Sequence, residues 1–202
     1  MELNEEGSDI EEIIPVLYND QKWEEILELK VDYLKTYKFF WVLPTLNDLY
    51  WLQNIITSYK MQGIMSVGCG CGLFEWLFYK STGTTVIGVE LDELWWCSRY
   101  APLRFLEDIL FLEENDINNF KVPKKYALFF CYFNNKDAFC TYINNYKGQL
   151  VIVIGPNAEK DRTADPLPFD DKFTQFGWEL FKWRRMITSQ DYIAVYRKIC
   201  FV

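Results

Sequence analysis

The 202-residue sequence predicts an α/β protein: a doubly wound seven-stranded sheet, mostly parallel, with a C-terminal antiparallel hairpin and N-terminal helices. Three observations carry that expectation. From Gly63 onward, short apolar runs alternate with helical segments, the pattern of a parallel sheet covered on both faces. Two long strand candidates, 178–186 and 191–199, are separated only by Ile187-Thr188-Ser189-Gln190. Parallel neighbours need a crossover of a dozen residues or more, so these two pair as a hairpin. Half the residues are apolar and a quarter charged, a globular composition with enough chain for one well-filled core.

Taken in order, Ser8-Asp9 caps a helix through about residue 18, with Glu11 and Glu12 in its first turn. Asp20 starts a second, longer helix whose apolar stripe is Trp23, Ile26, Leu27, Leu29 and Leu34. The aromatic segment 37–43 reads equally as a strand or a packed loop. Pro44-Thr45 opens a third helix, with Leu46, Leu49, Tyr50, Leu52, Ile55 and Ile56 at helical spacing. Residues 64–67 are the first strand, 73–80 a helix, and 85–90 a β-branched strand. Residues 92–100 read as helical, 109–112 as extended, 126–133 as a continuous apolar strand, 136–146 as a helix and 149–154 as another buried strand. The stretch 155–175, with three prolines among Asp and Lys, is the one long loop. Residues 1–62 form a helical extension packed on the core, and 63–202 one compact unit.

Composition excludes several chemistries. There is no histidine, which removes imidazole bases, Ser–His and Cys–His nucleophiles and every His-containing zinc site. A net charge of −8 opposes a generic phosphate-binding surface, so nucleic acid is not the expected partner. No apolar run approaches the ~18 residues of a membrane span, and the N-terminus is acidic where a signal peptide is basic and then apolar. A cytoplasmic location without membrane contact is expected. The six cysteines (69, 71, 97, 131, 140 and 200) read as reduced thiols, and Cys69-Gly70-Cys71 as small residues in a turn rather than a metal or redox pair.

Glycine is scarce at 10, yet six fall between positions 63 and 88. The crowded stretch is Ser66-Val67-Gly68-Cys69-Gly70-Cys71-Gly72-Leu73, after a strand and before a helix, where doubly wound sheets bind nucleotides. Glycines there let a ligand approach the backbone, and the helix N-terminus offers unpaired N–H groups. The dinucleotide fingerprint G-x-G-x-x-G needs glycine at position 73, which is Leu73; the spacing is G-x-G-x-G. No P-loop motif is present.

This stretch, followed by Val86-Ile87-Gly88-Val89-Glu90 and the terminal hairpin, resembles a class I S-adenosylmethionine-dependent methyltransferase over about residues 60–200. The resemblance implies S-adenosylmethionine as cofactor. It places Gly68, Cys69, Gly70 and Gly72 beside the methionine part, Glu90 on both ribose hydroxyls and Leu91 against adenine. Asn115-Asp116-Ile117 is similar to the family's G-D-I/A segment, so Asp116 contacts the adenine amino group, with Glu113 and Glu114 as alternatives. Many family members carry Asp or Glu where this chain has Ser66, which leaves the Ser66 hydroxyl to substitute. Glu75 is either a solvated or dipole-facing carboxylate or a site residue.

Methyl transfer from a sulfonium needs alignment and water exclusion more than a base, so it is compatible with a chain lacking histidine. The acceptor site of this fold lies past the fourth strand, here Cys131-Tyr132-Phe133-Asn134-Asn135. If that strand runs on, Tyr132 and Asn134 share a face and are the catalytic candidates that hydrogen-bond an acceptor. Trp41, Trp51, Trp95 and Trp96 form either an aromatic wall or core bulk. The expected acceptor is a small molecule or a protein. The alternative is a catalytically silent fold member that binds the cofactor as a sensor or scaffolds a partner.

Overall fold

The computed structural model describes residues 8–30, 38–157 and 162–199. Two helices, α1 (Ser8–Asn19) and α2 (Trp23–Glu28), precede α3 (Leu46–Ser58). The α3 start is a capping box: the Thr45 hydroxyl accepts from the Asp48 amide, and the Asp48 carboxylate accepts from the Thr45 amide at 2.9 Å. From Gly63 the chain alternates: β1 (Gly63–Val67), α4 (Leu73–Thr82), β2 (Thr85–Leu91), α5 (Glu93–Trp96), β3 (Ile109–Leu112), β4 (Tyr126–Cys131), α6 (Lys136–Asn145) and β5 (Leu150–Gly155). The short α7 (Lys172–Gln175) then precedes the hairpin of β6 (Trp178–Arg185) and β7 (Tyr192–Lys198).

Among the described residues the strands make one seven-stranded sheet in the order β3-β2-β1-β4-β5-β7-β6. β1 to β5 are parallel; β7 is antiparallel to both β5 and β6, as the short connection requires. The chain winds outward from β1 to β3 and returns to β4 on the other side of β1. The crevice between the carboxyl ends of β1 and β4 is therefore the topological switch point, where this architecture binds ligands. β1, the middle of β4 and β5 are buried, as their unbroken apolar runs demand.

Alternate strand residues feed two cores. On one face Ile64, Phe129, Ile152 and Val195 pack with Ile14, Ile26, Leu52 and Leu77 from α1 to α4. On the other, Met65, Leu128, Val151 and Ala194 pack with Phe139 and Tyr142 of α6 and Phe173 of α7. Much of the aromatic excess is spent here, including the fully buried Trp178 stacked on Tyr146 at 5.6 Å. Asp48, 2% exposed, also ties α3 to the sheet edge through Arg184 Nε of β6 at 2.7 Å.

The structure departs from the sequence expectations at several boundaries. The helix expected over 92–100 shrinks to Glu93–Trp96: none of its residues is buried, so no packing extends it. The strand expected over 126–133 stops at Cys131 because Tyr132 takes a left-handed φ of 50°. The second helix begins at Trp23, not Asp20, and Leu34 and Tyr37 lie outside the described residues. From residue 38 the aromatic segment is a packed loop that buries Phe39, Phe40, Val42 and Leu43. The loop 155–175 contains α7, anchored by the buried Phe173. Cys200 lies outside the described residues.

Candidate functional site

The glycine-rich turn sits at the carboxyl end of β1. Gly68, Gly70 and Gly72 all have positive φ, between 60° and 74°. Gly72 is the left-handed residue that starts α4, and a Cβ on it would lie 2.5 Å from the Leu106 Cβ. Crowding and φ together therefore require glycine there. The turn is braced from the neighbouring strand by Gly68 N donating to Val89 O, and from the 105–106 loop by Phe105 N donating to Cys71 O.

Glu90, near the end of β2, reaches across to this turn. Its Oε1 accepts from the Gly70 amide at 2.7 Å, and its Oε2 from the Leu91 amide at 3.1 Å. Burial pushes its carboxyl above the usual range, against the two amides and the Trp96 side chain, which favour the ionised form. With the two amides and the Trp96 side chain as donors, the carboxylate keeps one of its roughly four acceptor positions for a further donor. From the next residue, Leu91, a groove of about 560 Å³ opens, lined also by Asp92, Phe111, Leu112, Glu113 and Glu114. Asp116 is exposed at the end of the following single turn (Glu114–Asp116), while Ile117 packs on the second core. Of the three acidic candidates that the sequence offered here, Glu113 and Glu114 line the groove, together with Asp92 and Glu93, and Asp116 does not.

Ser66 and Glu75 form a buried pair. Ser66 is fully buried, and its hydroxyl donates to Glu75 Oε1 at 2.6 Å. Glu75 is 2% exposed, so it is neither solvated nor surface-facing: the α4 turn aims it inward under β1. Burial pushes its carboxyl up to about 7; the Ser66 hydroxyl and its own amide oppose that, and Glu90 adds to it. Glu75 lines a cavity of about 20 Å³ with Gly68, Cys69, Cys71 and Cys131, roofed by Phe39, Phe40, Trp41 and Val42. That volume holds about one water molecule. Burial also holds the Cys69 and Cys71 thiols far above their usual range, Cys71 at about 12, so both are poor nucleophiles.

Past β4, Tyr132 and Asn134 do not share a face, because the strand ends before them. The Tyr132 hydroxyl donates to Asp191 Oδ1 at 2.7 Å, in the buried start of the β7 segment. Burial and that carboxylate push the phenol up, so it resists ionisation. Its ring stacks on Trp41 at 5.8 Å and lies under the Arg162 guanidinium. Asn134 is exposed and bridges to Asp165. Trp41 also approaches Gly70, its Nε1 4.0 Å from where a Cβ there would stand, so it spans the ends of β1 and β4. Trp51 and Trp96 pack against the first core, with Trp95 edge-on to Trp96 at 4.7 Å.

Sequence reasoning did not place Asp191, Phe39, Phe40 or Val42 at the site; of the 39–42 roof it offered only Trp41, as one ring of an aromatic wall or as core bulk. Asp191 carried a faint signal, a charged residue at the head of an apolar strand. Phe39, Phe40 and Val42 carried none, because their contacts with the glycine turn span about 30 residues of chain.

No protein-family model and no curated protein matches the sequence. Solved structures do resemble it. A protein assigned as an RNA methyltransferase from Pyrococcus horikoshii superposes with a TM-score of 0.51 at 14% identity, over 89% of this chain and 98% of that one. The precorrin-6y C5,15-methyltransferase of Geobacter metallireducens gives 0.50 at 9% identity, over 82% and 93%. The S-adenosylmethionine-dependent methyltransferase SibL gives 0.50 at 14% identity, over 76% of this chain and 55% of that longer one. At these identities the likeness is one of fold: the chain has the class I methyltransferase-type sheet, with its glycine turn at the switch point and Glu90 bonded to that turn from β2.

Proposed function

We propose that this chain is an S-adenosylmethionine-dependent methyltransferase acting on a small-molecule or protein acceptor. The observation that carries the reading is Glu90, a mostly buried carboxylate that joins the left-handed glycine turn to the end of β2 at the switch point. A nucleoside hydroxyl matches its remaining acceptor position, and a second, vicinal hydroxyl can take the place of the Trp96 donor. The structural neighbours named as methyltransferases support the reading as well.

The residues divide the work. Glu90 binds the ribose hydroxyls; Leu91 lies against the base, with Glu113 or Glu114 on its amino group. Gly68, Gly70 and Gly72 admit the thioether chain close to the backbone. S-adenosylmethionine, when bound, supplies a methyl group on a sulfonium for in-line displacement. Trp41 and Phe40 exclude water from that point and present aromatic faces to positive charge. The 39–42 roof must shift outward to admit the thioether chain, because the cavity beneath it has room for one small group. The acidic chain favours small-molecule or protein acceptors over nucleic acid.

Calorimetric titration with S-adenosylmethionine and S-adenosylhomocysteine tests the reading. Micromolar binding that Glu90→Ala weakens by about tenfold or more is expected, from the loss of charge-assisted bonds. No heat and no thermal shift at millimolar ligand overturns it. Radiolabelled cofactor incubated with fractionated lysate then separates transfer from binding alone: label transferred by the wild type and not by Glu90→Ala identifies a catalyst.

A further inference from the structure

Glu75 is the buried charge that the reading above leaves without a task. It is 2% exposed, receives one side-chain hydrogen bond, from Ser66, and faces a cavity rather than packed side chains. Among the described residues no basic side chain acts on it; the other ionisable groups that it senses or influences are Glu90 and the thiols Cys69, Cys71 and Cys131, none of them cationic. A buried carboxylate without a counter-charge is costly unless a ligand supplies one. The cavity before it accommodates one group of water size, which is also the size of an ammonium. Among its other walls Phe39, Phe40, Trp41 and Phe74 are aromatic, which suits a cation.

We propose that Glu75, oriented by Ser66, receives the ammonium group of an amino-acid-bearing ligand at the glycine turn. This rests on the cofactor reading and deepens it: the amino-acid end of S-adenosylmethionine or S-adenosylhomocysteine enters beneath the 39–42 roof. The carboxylate comes from the second turn of α4 and not from the strand. Ser66 becomes a positioning residue that fixes the carboxylate by one oxygen and leaves the other for the ligand.

Two ligands distinguish the parts of this claim. S-adenosylhomocysteine carries the ammonium; 5′-methylthioadenosine has the same nucleoside and sulfur without it. Calorimetry on wild type and on Glu75→Gln, which keeps the volume and the Ser66 bond, is the test. The variant is expected to lose about tenfold or more in affinity for S-adenosylhomocysteine. Its affinity for 5′-methylthioadenosine should stay within about twofold, a result that also shows the nucleoside site is folded. Wild-type affinity for S-adenosylhomocysteine should rise between pH 6 and 8 as Glu75 ionises, and Glu75→Gln should lose that rise. Equal affinities of variant and wild type for S-adenosylhomocysteine, or equal losses for both ligands, overturn the Glu75 assignment and leave the cofactor reading standing. Wild type that binds neither ligand overturns both.

Discussion

Replacing Glu75 by glutamine should stabilise the protein at alkaline pH. The carboxyl's ordinary value is 4.5 and burial raises it to about 7 in the folded chain. A raised folded value means that the unfolded chain releases the proton first. Stability due to this group is therefore complete below 4.5, falls as pH rises, and levels off above about 7. At roughly 1.4 kcal/mol per pH unit, the interval from 4.5 to about 7 corresponds to a loss of about 3 kcal/mol. With 2% exposure, solvent screening does little to reduce it. Glutamine accepts the same Ser66 hydroxyl and carries no charge, so it avoids the loss. Urea denaturation of both proteins at pH 5 and pH 8 reads the effect directly. The variant should exceed wild type by about 3 kcal/mol at pH 8, or roughly 6–12 °C in Tm for a domain of this size, and most of that gain should vanish at pH 5. A difference between the two proteins that is the same at both pH values refutes the reasoning, because it would mean Glu75 titrates as it does in water.

Five other substitutions probe the scaffold. Asp48→Ala removes both the carboxylate half of the α3 capping box and the partner of Arg184, and should cost roughly 3 kcal/mol in urea denaturation. Arg184→Met should cost less, and the double variant should show coupling between the two sites. Gly72→Ala forces a Cβ to within 2.5 Å of Leu106 at a φ of 74° and should cost roughly 2–4 kcal/mol, whereas Gly83→Ala, left-handed but in open space, should cost about 1 kcal/mol. Tyr132→Phe takes the donor from the buried Asp191 carboxylate and should cost about 2 kcal/mol of stability. Loss of methyl transfer at unchanged stability would instead put the phenol on the acceptor.

The sheet was legible because its signals are local. Runs such as Gln149–Ile154 can only be buried strands, and four residues between 186 and 191 can only join antiparallel neighbours. The glycine turn was legible for the same reason: spacing within seven residues reports backbone geometry. Glu90 could be placed near the end of β2 because a strand terminus can be counted along the chain. Glu75 was only half legible. Helical spacing placed it near the turn, but the face it presents depends on how α4 rolls onto β1, which Leu73, Phe74 and Leu77 decide by packing. Tyr132 was misjudged on geometry because a single left-handed φ turned its ring away from the strand direction, and no residue type announces that. The roof at 39–42 was recognisable as aromatic, but its destination rests on contacts distant in sequence.

That roof has a consequence for how the binding site can diversify. The walls of the cavity come from two parts of the chain under different constraints. The glycine turn is fixed by left-handed backbone geometry, whereas Phe39, Phe40, Trp41 and Val42 occupy an irregular loop that no hydrogen-bond ladder restricts. Ligand preference can thus be retuned by exchanging side chains in four consecutive loop positions, with the sheet and its switch point unchanged.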